Sequence, residues 1–183
     1  MTDLLTLHPP LTEIEQLRTQ IVQDTLQWIQ YPNVTVEKDL YCRVEWEKEG
    51  QFRFLKLEEL LNSGDTSCYV CAVGALLANY LVDRRAGAWV DVTFGDSYEV
   101  GEHDCFETLK NVWSIKQLRL IENAFERSVV TEGEPQELSL FVCAADQYRD
   151  WPEPKERLIQ ILSNILQNRG TFVVDRFTAE QCR

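Results

Sequence analysis

The sequence predicts a single α+β domain that is predominantly α-helical and is built around one central buried helix. Two observations carry this prediction. Apolar residues recur at helical spacing in several capped segments, and residues 40–46 alternate apolar and polar side chains as a half-buried strand does, which predicts a small β element near 40–54. A hydrophobic content of 44% supplies a sizeable core, and no repeat or linker divides the 183 residues. Residues 1–10, which end in two prolines, are expected to be loosely ordered.

The central helix is predicted over about residues 67–83, a stretch nearly free of charge in a chain where 26% of residues are charged. Ser67 or Thr66 is expected to cap its first amides. Arg84 and Arg85 follow it, where cations interact favourably with the carbonyl end of a helix dipole. Because the stretch is apolar on nearly all faces, the rest of the domain must surround it.

The other elements are predicted from periodicity and from end signals. Thr12 and Glu15 have the form of a capping box at the start of an amphipathic helix, and Ser114 begins another helix in the same way. Two alternatives stay open: Phe52–Phe54 as a hairpin partner of the first strand, and a strand over 138–142. In chain order, the predictions are a helix over 11–29, a strand over 40–46, a short helix from 57 to a Gly64 cap, a weak strand over 90–94, a polar loop over 95–107, and helices over 115–127, 138–148 and 154–168.

The composition is acidic, because 30 aspartates and glutamates against 18 lysines and arginines give a net charge of −12. Such a surface repels phosphate backbones, which argues against nucleic-acid binding. The longest apolar run is shorter than the roughly 18 residues that a membrane span needs, and the N-terminus lacks the basic and apolar regions of an export signal. Six cysteines without such a signal indicate reduced thiols in the cytoplasm.

Much of the acidity lies in residues 86–109, which contain no lysine or arginine. Three interpretations fit such a segment: a solvated surface, a divalent-cation site, or a negatively charged face that docks a basic partner protein. Its carboxylates do not have the spacing of an EF-hand calcium loop. The residues predicted to contact a basic partner are Asp91, Asp96, Glu99, Glu102 and Asp104.

Two pairs of residues suggest a structural zinc site as one alternative. Cys68 and Cys71 have the spacing of a zinc-binding pair, and His103 and Cys105 are of the residue types that would complete four ligands. Against this alternative, the first pair lies in the apolar stretch, where cysteines pack as small hydrophobic residues. The order of ligands also differs from that of zinc deaminases, and the glutamate those enzymes use is missing. No cofactor is predicted.

A cysteine-nucleophile hydrolase is the alternative from another functional class. A thiolate in the first turn of a helix has a lowered pKa, so Cys68 is the better nucleophile, with His103 as the base and Asp104 or another carboxylate orienting it. Signatures of cysteine proteases are missing. The chain also lacks the serine-hydrolase elbow, the glycine-rich phosphate loop and the zinc-protease motif.

Three segments together resemble a family of small uncharacterised bacterial proteins, including cyanobacterial and phage-like ones. The segments are Cys71–Leu76, the helix Ser114–Glu126, and Leu158–Phe172. They are helix faces and caps, so the resemblance implies no activity, cofactor or functional residue. We therefore expect a non-catalytic cytoplasmic binding or interaction protein, and the resemblance to phage-like proteins implies a phage-derived origin; its oligomeric state is not specified by the sequence.

Overall fold

Eight helices and six strands make up the secondary structure of the residues that the computed structural model describes, which are 9–46, 54–92, 96–128 and 138–183. None of these helices is long and apolar enough to cross a membrane. In chain order the elements are α1 (Glu13–Trp28), β1 (Val34–Val36), β2 (Cys42–Trp46), β3 (Phe54–Lys56), α2 (Leu57–Leu61), β4 (Thr66–Val70), α3 (Ala72–Arg84), β5 (Trp89–Asp91), β6 (Ser97–Val100), α4 (Glu102–Leu109), α5 (Ile115–Glu126), α6 (Leu138–Gln147), α7 (Pro154–Gln167) and α8 (Ala179–Cys182).

The strands form two small sheets. One has four strands in the order β1-β4-β2-β6, with β1 parallel to β4 and the other two pairings antiparallel. The second sheet pairs β3 with β5 in antiparallel register. The helices pack on one another and on the larger sheet around a single apolar core. The predicted α+β class, mostly helical and in one domain, is confirmed.

The predicted central helix exists, but its predicted start is wrong. Residues 66–70 form β4, and the helix α3 begins only at Ala72. Thr66, Cys68 and Val70 are buried whereas Ser67 is exposed, which is the period of a strand. Backbone hydrogen bonding to β1 on one side and to β2 on the other therefore outweighs any helical preference of these residues.

Helix α3 lies at the centre because its small residues admit close neighbours. Every residue of α3 from Ala72 to Asn79 is buried. A Cβ atom on Gly74 would come 1.4 Å from the backbone oxygen of Tyr41, so only glycine permits this approach. Cys71 is the N-cap, and its sulfur accepts a hydrogen bond from the amide of Gly74 at 3.5 Å.

The helices with local end signals lie where the sequence predicts them. Thr12 and Glu15 form the predicted capping box of α1, and the Ser114 hydroxyl accepts from the amide of Gln117 at the start of α5. Residues 138–147 are helical, so the alternative of a strand over 138–142 is wrong. Helix α7 ends before Gly170, which has a φ of 83°.

Two predictions for the middle of the chain need correction. Residues 95–107 are not simply a polar loop, because residues from 97 onward form β6 and then α4. Phe54 belongs to a strand, but that strand pairs with β5 and not with β2; Phe52 and Arg53 lie outside the described residues. Of the N-terminal segment expected to be loose, residues 1–8 also lie outside, while the carbonyls of Pro9 and Pro10 accept hydrogen bonds from Arg169.

Candidate binding site at the acidic edge of the sheet

Neither cysteine of the predicted CxxC pair is a free nucleophile. Cys68 lies in β4 and not in the first turn of a helix, and it is fully buried. Burial raises the pKa of Cys68 to about 11, although a hydrogen bond with Thr66 opposes the shift. Cys71 is 3% exposed, and burial raises its pKa to about 12. Both thiols are therefore protonated at neutral pH, which removes the basis for choosing Cys68.

The residues of the zinc alternative do not form a ligand set. Cys105 is buried on α4, while His103 is exposed two residues earlier on the same helix. In the described ranges of the chain, no group of three or more histidine, cysteine, aspartate or glutamate side chains is arranged to hold a metal ion. The zinc alternative thus finds no support in the described geometry.

Four of the five predicted partner-binding carboxylates follow one another along one border of the molecule. Asp96 immediately precedes β6, Glu99 lies on it, and Glu102 and Asp104 lie in the first turn of α4. All four are exposed, and we call them the acidic edge. Asp91 is not part of it, because it is half-buried on β5 in the other sheet.

The acidic edge coincides with an edge strand of the larger sheet. Strand β6 pairs with β2 on one side, and no other strand in the described residues pairs with its second side. The amide of Trp46 donates to the carbonyl of Asp96 at 2.9 Å, so these two residues form a hydrogen-bonded pair between β2 and β6. Because bonding alternates along an antiparallel pair, the backbone groups of Ser97 and Glu99 point away from β2.

A half-buried arginine fixes one end of the acidic edge to the core. The Arg119 guanidinium lies 2.5 Å from the Glu102 carboxylate and 2.8 Å from that of Glu122. Glu122 also accepts a hydrogen bond from the hydroxyl of Tyr41. The same guanidinium lies 4.4 Å from the ring centre of Phe106, so its position is set by packing as well as by charge. Glu102 is consequently held in one place on the surface.

The other carboxylates of the acidic edge are less constrained. Arg43 lies 3.7 Å from Glu99, and its guanidinium stacks 4.7 Å above the ring of Tyr69. Asp96 and Asp104 form no ion pair with the described part of the chain. The edge thus presents two partly neutralised carboxylates and two that are available to an incoming cation.

Sequence reasoning found the carboxylates of this site but missed the groups that position them. Arg119 and Glu122 are three residues apart on α5, which is a detectable helical pair. Their link to Tyr41 joins positions 81 residues apart, and no local pattern signals it. The edge position of β6 was also missed, because it depends on which strand pairs with which.

The fold and this site define an α+β domain with an acidic, open sheet edge. No family model matches the chain, and neither a curated protein nor a solved structure matches it.

Proposed function

We propose that the protein is a non-catalytic binding protein that docks a basic, extended segment of a partner protein along β6. The observation that carries this proposal is the coincidence of two features at one place. The strand offers outward backbone groups at Ser97 and Glu99, and exposed carboxylates flank those groups on both sides.

Strand addition explains how such a surface gains both affinity and selectivity. Two outward N–H and two outward C=O groups on β6 would pair with the incoming backbone, as in other cases of strand addition. Lysine or arginine side chains of the incoming segment would lie against Asp96 and Asp104. The net charge of −12 favours fast encounter with a basic partner, and this contribution weakens as salt is added.

The hydrolase alternative has weaker support. A hydrolase of this type needs an accessible thiolate beside a base, whereas Cys68 is fully buried with a raised pKa and His103 is exposed on α4.

We also propose a cytoplasmic location, because all six cysteines are free thiols. A phage-like origin stays a proposal that rests on the family resemblance alone.

The proposal is tested with a short synthetic peptide of alternating lysine and valine. The control is the same peptide with glutamate in place of lysine, which has the opposite charge. Isothermal titration should detect binding of the lysine peptide only. Ser97→Pro removes one outward N–H without touching the ladder to β2, so it should weaken binding about tenfold, whereas Ser97→Ala should bind normally. Equal binding to both Ser97 variants would exclude strand addition.

Charge dependence is tested separately with a matched pair of variants. Asp96→Lys reverses one charge of the acidic edge, and Glu13→Lys reverses one exposed charge on α1. Only the first should abolish binding of the lysine peptide. Should both variants reduce affinity equally, the acidic edge would have no special part in binding and net charge alone would explain it.

A further inference from the structure

The connection between β1 and β2, residues 37–41, crosses the N-terminal end of α3, and we call it the strap. Two glutamates one helical turn apart on α5 hold it. Glu126 accepts a hydrogen bond from the amide of Asp39 at 3.1 Å, and Glu122 accepts one from the hydroxyl of Tyr41. Asp39 has a φ of 60°, a left-handed conformation that the surrounding contacts must maintain.

The far end of the strap contacts the backbone at Cys71 and Gly74. The carbonyl of Tyr41 accepts a hydrogen bond from the amide of Cys71 at 3.2 Å, and the same carbonyl presses against Gly74. Cys71 is 3% exposed at the N-terminus of α3, where its sulfur accepts a hydrogen bond from the amide of Gly74. Displacement of the strap would expose the thiol to water in a setting that stabilises a thiolate.

We propose that the strap is a pH-sensitive cover of Cys71, which loosens when Glu126 loses its proton. Three structural features support this proposal. The strap is bound to α5 at its middle and at its end, one of the two anchors is a half-buried carboxyl group, and the strap's own carbonyl bonds to the amide of the buried Cys71.

The direction of the effect follows from the environment of Glu126. Burial is the main cause that raises its pKa, from 4.5 to about 7; the Asp39 amide opposes the shift. The closed strap therefore holds this proton more tightly than an open strap with a solvated carboxyl group would. Closure is most favourable below about pH 4.5, weakens as the pH rises to about 7, and changes no further above that.

The other charged or titratable groups near Glu126 act in both directions. Lys38 lowers its pKa, while Asp39 and Glu122 raise it. Two further groups that interact with it come from α7 and from the start of α3, namely Arg157 and Cys71. Lys38 is exposed and can be neutralised without disturbing the core.

Amide hydrogen exchange measured by NMR tests the proposal on the full chain. The amides of Asp39 and Cys71 report on the two contacts of the strap, and the amide of Gly170, which bonds to Ile165 at 2.8 Å, is the internal control. After correction for intrinsic exchange, protection at the two strap amides should fall roughly tenfold between about pH 5.5 and 7.5. Protection at Gly170 should not change in parallel.

Two variants assign the effect to Glu126. Glu126→Gln keeps an acceptor for the Asp39 amide but cannot ionise, so its strap protection should be independent of pH. Lys38→Met removes a cation that favours the charged carboxylate, so it should move the loss of protection to higher pH. Iodoacetamide labelling of Cys71 should speed up in step with strap opening in the wild-type protein.

Two results would overturn the proposal: strap protection in the wild-type protein that does not vary with pH, or an unchanged pH response in Glu126→Gln. If Glu126→Gln fails to fold, the Lys38→Met comparison decides, because an unshifted transition in that variant excludes Glu126 as the responsible group.

Discussion

Charged and polar side chains have different partners in two regions of the molecule. In the region formed by α5, α7 and the C-terminal segment, buried polar side chains bind backbone groups of distant elements. Arg157, for example, is 1% exposed and donates to the carbonyl of Phe125 on α5, and also to the carbonyls of Trp151 and Pro152 just before α7. At the acidic edge the carboxylates are exposed, and Glu99 and Glu102 each lie near one arginine.

The two regions differ in how strongly their polar contacts stabilise the fold, because one is shielded from water and the other is not. A buried donor that loses its acceptor cannot bond to water instead, so each buried polar contact carries a large penalty when it is broken. An exposed carboxylate exchanges a partner for water at little cost. Contacts in the first region therefore stabilise the fold strongly, whereas residues in the second can change partners with little effect on stability.

The largest effect is expected for Arg157. Arg157→Ala removes the donor of three carbonyls, of which that of Phe125 is buried, and opens a cavity, so the free energy of unfolding should fall by about 3 kcal/mol. Urea denaturation measures the loss, with Glu156→Ala, at an exposed neighbouring position, as the control. A loss no greater than that of the control would show that the contrast between the two regions does not hold.

An intermediate effect, which depends on pH, is expected for Glu15. The Thr12 amide and then Arg169 lower its pKa to about 2. A depressed pKa in the folded state gives stability that is present above the ordinary value of 4.5 and is lost as the pH falls toward 2. Glu15→Gln should therefore flatten the acid limb of a plot of melting temperature against pH, and Glu13→Gln should leave that limb unchanged.

The contributions of Glu15 and Glu126 to stability thus change with pH in opposite directions. The burial of Glu126 costs stability as the pH rises through about 7, so Glu126→Gln should be more stable than the wild type above neutrality. Thermal unfolding at about pH 8 measures this difference. Equal melting temperatures there would indicate that the carboxyl group is better solvated than its surroundings imply.

The smallest effect on stability is expected at the acidic edge. Asp96→Lys should change the free energy of unfolding by less than about 0.5 kcal/mol, because the side chain is exposed. The same variant should lose the lysine peptide in titration, which separates binding from folding. A marked destabilisation would mean that Asp96 has a structural part, and would weaken the distinction between the two regions.

The sequence by itself determined the elements whose signals are local. The helices α1 and α5 begin at the predicted caps, and α7 ends three residues before the predicted glycine stop, because capping and left-handed stops depend on residues close to the helix end. The acidic residues were also evident, since charge is read directly from composition.

Only the tertiary structure decided the rest. Residues 66–70 are a strand because β1 and β2 lie on either side of them, and β6 is an edge because nothing in the described chain pairs beyond it. The strap depends on contacts between Tyr41 and Glu122, which no local pattern links. Strand pairing and burial bring together residues that are distant in the chain. The stabilisation that they provide therefore cannot be predicted from a short stretch of sequence.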